Sequence, residues 1–210
     1  MRKINKNPEP KEWTSYRLTP GADYKAIPEL RRALLEEQGY ICAYCMRRIP
    51  VKDSNSNETS RIEHILCRGK HDDEKLHYTN MVVCCPGAIN HHFHCDKSKD
   101  ENDVTFDLFS DYFFTTLSYQ SKDGKISSSN KEYNSQMNQL LNLNNPLLME
   151  NRHSTLKGVI GYLDKKGWSI ANISRMIDRW DNKDVEGRYK EYCGIVVWFL
   201  KKKLKLVRKQ

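Results

Sequence analysis

Apolar positions recur at helical spacing in several stretches of the chain. Pro28 to Gln38 carries Leu30, Ala33 and Leu34 on one face. Pro28 suits the first helical position and Gly39 suits the cap beyond the last turn. The spacing predicts further helices over Lys131–Leu141 and from Asn145 to about Leu163. Ser169 is placed to cap the next, with Ile170, Ile173, Ile177 and Trp180 in line. Asp184 is placed to cap the last, with Tyr189, Cys193, Val196 and Leu200 in register. Shorter runs suggest strands: Ser60 to Leu66, around Ile62 and Ile65, and Met81 to Cys85. Tyr112–Tyr119 and Lys125–Ser128 flank Asp123-Gly124, a hairpin signal. Residues 52–59 are polar and read as a loop. Pro8, Pro10, Pro20 and Gly21 break regular structure near the start. The pattern is α+β: an N-terminal arm over 1–27, a cysteine-rich core over 28–105, and a mostly helical region over 106–210. Trp13 and Tyr16 can pin the arm to the body or to a partner, with the body the simpler expectation.

Composition narrows the classes. Hydrophobic residues make up 38% and mean hydropathy is −0.78. The longest apolar run, Gly194 to Leu200, is far below the roughly 18 residues a membrane span needs. No apolar stretch follows the basic residues of MRKINKNPEPKEW, so no signal peptide and a cytoplasmic location are expected. Lys and Arg number 35 against 27 acids, a net charge of +8, which fits a polyanionic partner without requiring one. The last ten residues, KKKLKLVRKQ, hold six bases and no acid. They read as a solvated helix end or as a clamp on nucleic acid.

Six of the seven cysteines fall between Cys42 and Cys95. Clustered cysteines in a cytoplasmic chain read as metal ligands before disulfides. Cys42-x2-Cys45 sets two thiolates on a tight turn, a spacing suited to tetrahedral Zn²⁺. The second pair is Cys95 with Cys85 or Cys84. Cys85 is preferred, because Cys84 continues the alternation after Asn80 and should point into the core. His91, His92 and His94 are rival ligands. Cys193 has no such neighbours and reads as a core residue. The 39 residues between Cys45 and Cys85 exceed the gap in a zinc ribbon and leave room for something functional.

That gap and its far edge hold Arg61-Ile62-Glu63-His64-Ile65, then Asn80 before Met81-Val82-Val83, then Cys95-Asp96-Lys97-Ser98-Lys99. Here the chain resembles the HNH, or ββα-metal, nuclease family. The family pattern is an acid and a His closing a strand, an Asn further on, and a final His, Asn or Asp opening a helix, often inside CxxC pairs. The resemblance covers about residues 40–100. The order of motifs is closer still to the PtuB-like HNH components of Septu and retron antiphage systems, through the expanded Cys85-x9-Cys95 segment and the later Leu141-Asn142-Leu143-Asn144. The stretched second pair and the doubled Cys84-Cys85 depart from the usual family pattern.

The resemblance implies a small zinc-bound ββα core and a set of roles. His64 is the general base; an imidazole with an ordinary pKa of about 6.5 suits proton abstraction near neutrality. Glu63 and Asp96 offer hard oxygen ligands to a catalytic Mg²⁺ or Mn²⁺. Side chains of adjacent strand residues point to opposite faces, so Glu63 and His64 are expected to converge where the strand ends. Asn80 braces the loop and orients His64. Lys99, one helical turn after Asp96, is expected to face the same phosphate. Arg61 and Arg68 flank the pair and are candidates to hold the nucleic-acid backbone. The activity implied is metal-dependent cleavage of phosphodiester bonds, in DNA first, aimed or restrained by a PtuA-like ATPase partner in phage defence. Rival classes are a stand-alone restriction-like HNH enzyme and a zinc-stabilised nucleic-acid-binding module without activity.

Overall fold

The computed structural model describes residues 1–50, 59–89 and 92–208. The loop expected over 52–59, Thr59 apart, and the candidate ligand His91 lie outside the described residues. The fold is mixed α+β, with eight α-helices and three two-stranded antiparallel sheets among the described residues. In chain order the elements are α1 (Lys11–Arg17), α2 (Pro28–Glu37), β1 (Arg61–His64), β2 (Met81–Cys84), β3 (Ala88–Ile89), β4 (His92–Phe93), α3 (Asp96–Lys99), α4 (Asp111–Thr115), β5 (Leu117–Tyr119), β6 (Ile126–Ser128), α5 (Lys131–Ser135), α6 (Pro146–Lys166), α7 (Ile170–Asp181) and α8 (Cys193–Val207). No described helix is long and apolar enough to cross a membrane.

β1 and β2 pair so that Glu63 faces Val82 and His64 faces Met81. All four residues of β2 are buried. Gln38, at the end of α2, locks this pair to the cysteine turn. Its amide nitrogen donates to the Ile41 and Val83 carbonyls at 3.1 and 2.8 Å, and its oxygen accepts from Val83 N at 2.7 Å. One apolar core contains Trp13, Leu34, Val82, Phe106, Leu156 and Leu200 together, so the N-terminal and helical segments share it with the cysteine-rich region.

The first segment is not a bare arm. α1 sits between the prolines, and Trp13 is fully buried, its indole N–H donating to the Leu76 carbonyl at 3.2 Å. Trp13 is therefore unavailable to a partner. Ahead of it, Lys6 Nζ binds the buried Glu37 at 2.7 Å and the Met81 carbonyl at 2.9 Å, fixing the N-terminal segment against β2.

Three expectations for the second half need correction. Tyr112 to Thr115 belongs to α4, because Ser110 caps a short helix there, and only Leu117–Tyr119 is strand. The stretch expected as one α-helix over 131–141 passes into a π-helical turn at Gln136–Leu140. Asn138 donates its side-chain amide to the Asn134 carbonyl there, a known competitor of regular helix, while Gln136 turns its amide oxygen outward to accept from Thr105 N. The last helix begins at Cys193, not near Asp184. The Asp184 carboxylate accepts from the Glu186 and Arg188 amides at 3.0 and 2.9 Å, closing a turn instead of a helix, and Tyr189 N then pairs with the Gly39 carbonyl at 3.0 Å. Ser169 does cap α7, accepting from Asn172 N.

Candidate metal centre and the adjoining cleft

Cys42, Cys45, Cys85 and Cys95 form a buried cluster whose sulfurs all lie within 4.8 Å of one another. The turn that carries the first pair closes through Cys42 N→Arg47 O and Met46 N→Cys42 O, at 2.9 and 3.0 Å. Cys85 follows β2 directly, and Cys95 precedes α3. Between them Gly87 adopts φ +72°, and a Cβ there would lie 2.4 Å from the His94 carbonyl oxygen, so only glycine fits. The Cys42–Cys95 and Cys45–Cys85 sulfurs are 3.8 and 3.7 Å apart. A disulfide needs about 2.05 Å. A tetrahedral zinc with bonds of about 2.3 Å needs sulfurs about 3.8 Å apart. The donor set and its spacing thus fit a structural metal such as zinc. Cys84 is buried and within hydrogen-bonding reach of Cys42, but stands outside the set. His92 is exposed, and His94, buried with Nδ1 3.2 Å from Cys95 Sγ, is likewise outside it. Without a cation, burial and hydrogen bonds from Cys42 and Cys45 push the Cys95 thiol well up. For Cys42, burial opposes charge, but hydrogen bonds with the neighbouring thiols outweigh it and hold that thiol well below its usual range.

Beside this cluster opens a cleft of about 1580 Å³, lined among others by Tyr24, Arg61, Glu63, His64, Arg68 and Asp96. Glu63 and His64 close β1 and are each only 4% exposed. His64 Nε2 lies 3.0 Å from the Lys75 carbonyl. A carbonyl only accepts, so Nε2 carries the proton and Nδ1 keeps its lone pair. Burial, with the charges of Arg68 and Lys99, drives this imidazole down to about 4, so the ring is neutral near pH 7. Tyr24 stands edge-on to it at 4.6 Å, and the Arg68 guanidinium lies 4.5 Å from the Tyr24 ring centre.

Glu63 is pushed up to about 8 by burial and by a hydrogen bond shared with Asp96, against the pull of Lys99. Lys99 Nζ is 2.7 Å from Glu63 Oε1, and Tyr44 donates to the same oxygen at 3.3 Å. Asp96, at the first position of α3, also faces Arg61 at 3.5 Å. Two carboxyls that share a hydrogen bond, next to a neutral imidazole, can exchange that proton for a hard cation.

One expected placement changes. Lys99 does not reach out toward a phosphate: it is 1% exposed, and its ammonium bridges Glu63 and the His64 carbonyl, the latter at 2.9 Å. Burying a lysine requires such a partner, and the carboxylate of β1 is the one at hand. The Asn80 amide does not touch the imidazole. Its oxygen accepts from Leu66 N at 2.8 Å, and its nitrogen donates to Leu66 O and Glu74 O at 3.0 and 3.2 Å. It thereby holds both ends of the loop whose Lys75 carbonyl meets His64. Sequence reasoning missed Tyr24, Tyr44 and Lys75. Tyr44 lies inside the Cys42–Cys45 turn, where position alone could have marked it, whereas Tyr24 and Lys75 carry no local signal. No protein-family model and no curated protein matches this chain.

Proposed function

We propose that the chain is a metal-dependent HNH endonuclease that hydrolyses phosphodiester bonds, DNA first among its substrates. The observation that carries the reading is the state of His64: a neutral ring with Nε2 tied to a carbonyl and Nδ1 left to accept a proton, beside two adjoining carboxyls. The antiparallel β1–β2 pair followed by α3 on a four-cysteine cluster supports a ββα core.

Glu63 and Asp96 are the residues that would hold Mg²⁺ or Mn²⁺, which when bound neutralises charge on the phosphoryl group and its leaving oxygen. His64 Nδ1 takes the proton of the attacking water as the water oxygen bonds to phosphorus and the phosphorus–O3′ bond breaks. Asn80 keeps the Glu74–Lys75 carbonyls in place and so fixes the tautomer of the base. Lys99 keeps charge on Glu63 tolerable in a buried setting. Arg61 and Arg68, at the cleft wall, are suited to phosphate oxygens. In the antiphage setting the motif order suggests, the enzyme works as the effector of a PtuA-like ATPase, which supplies targeting that backbone contacts alone do not; sequencing the neighbouring genes tests this, and an adjacent ATPase reading frame is the expected result.

Cleavage of a labelled DNA, single-stranded or duplex, with Mg²⁺ or Mn²⁺ tests the reading. His64→Ala should lower the rate about 10²–10⁴-fold, the usual worth of a general base, with zinc content and folding unchanged. A variant that cuts at the wild-type rate refutes it.

A further inference from the structure

The cleft has a feature that phosphodiester chemistry does not use. Phe93, on β4 between the second pair of cluster cysteines, keeps 49% of its surface exposed. It lines the same cleft as Glu63, His64 and Asp96. Lys97, one residue into α3 from Asp96, sets its ammonium 4.5 Å from the Phe93 ring centre. The backbone around the ring is held: Asn142 Nδ2 donates to the Phe93 carbonyl at 2.8 Å, and His94 N donates to Gly87 O at 2.8 Å. A large apolar ring kept in water on a fixed support, with a cation beside it, is an arrangement that stacks bases and holds the adjoining backbone. Tyr24 and Phe93 each carry a cation over one face, Arg68 and Lys97 at 4.5 Å, but Tyr24 also has the His64 ring edge-on to it, whereas about half of the Phe93 surface stays exposed.

Depth points the same way. Glu63 and His64 line the cleft from buried positions, while Phe93 lines it half exposed. A flexible strand can bring its phosphodiester to the buried pair and lay a base on the ring. In a continuous duplex the base faces are covered by their neighbours and offer the ring nothing to stack on. We infer that the cleft takes nucleic acid with unpaired bases, a single-stranded segment, and that Phe93 is its stacking platform. This deepens the nuclease reading of the site and rests on it.

Binding separates the two ideas. Fluorescence anisotropy in the His64→Ala background would compare a labelled single strand with a duplex of the same sequence. Phe93→Ala should weaken single-strand binding roughly tenfold, within the range found for one stacked base, and leave duplex binding unchanged. Phe93→Trp should preserve or tighten single-strand binding, whereas Phe93→Leu, apolar without a π-face, should fail like Ala. Each variant should keep its zinc, since the ring is half exposed. Single-strand affinity that stays within twofold in Phe93→Ala, or an equal loss for strand and duplex, overturns the inference. If the wild type cuts no substrate but Phe93→Ala still weakens single-strand binding and leaves duplex binding unchanged, the stacking platform stands and only the nuclease reading falls.

Discussion

Replacing Cys42 by Ser removes one sulfur from the four-cysteine cluster and should cost the chain its fold. Structural zinc contributes about 10–16 kcal/mol in small domains, whereas the net stability of a whole domain is about 5–15 kcal/mol. The cysteine turn has other anchors, among them Ala43 N→Val83 O and Tyr192 N→Met46 O, both at 3.1 Å. The three Gln38 hydrogen bonds that tie this region to β2 contribute about 1 kcal/mol each, or roughly 3 together. They cannot replace the metal. Cys84→Ser is the control: it is as buried as Cys42 but outside the cluster, so it should keep its zinc and lose about 1–3 kcal/mol for burying a hydroxyl. Metal analysis by mass spectrometry and thermal unfolding by circular dichroism read both outcomes. Wild-type zinc and melting temperature in Cys42→Ser, or zinc loss in Cys84→Ser alone, would refute the assignment of the ligands.

Two further outcomes follow from the geometry. Asn80→Ala removes three hydrogen bonds from the loop between Leu66 and Glu74, so stability should fall by about 2–3 kcal/mol and cleavage should fall with it as His64 loses its support; activity unchanged by this variant would show that the loop holds His64 without Asn80. At Asp181, burial resists the charge, but hydrogen bonds from Lys201 and Arg2 outweigh it and hold the carboxyl below its ordinary value. A depressed folded value means the stabilisation is complete above the unfolded pKa of about 3.9 and disappears as pH falls through the folded one. Asp181→Asn should therefore be about 1 kcal/mol less stable at pH 7, and urea titrations should show that deficit shrinking in acid; a constant deficit across pH would exclude the ion pairs as its source.

Legibility followed the range of the interactions. Pro28 opens α2 and Ser169 caps α7, because these signals act within one turn. Asp184 misled for the same reason: a carboxylate accepting from backbone amides two and four residues on closes an isolated turn with the bonds it would use as a cap. The four-cysteine cluster was readable because thiolates in pairs carry their own chemistry, and the strand alternation separated Cys84 from Cys85. What could not be read depended on distant partners. Trp13 finds its acceptor at Leu76, and Lys99, which looks like a solvated charge, finds Glu63 on another element. Neither partner leaves a trace in the spacing of nearby residues.

Cys95 closes the cluster and also stands at the N-terminal boundary of α3, its amide bonded to the Leu141 carbonyl at 2.9 Å. Asp96 is the very next residue. Once a metal is seated, the backbone that carries that acid is held by a coordination bond as well as by this hydrogen bond. Whatever approaches from the open side thus meets a carboxylate whose address is surveyed from inside the protein, by sulfur.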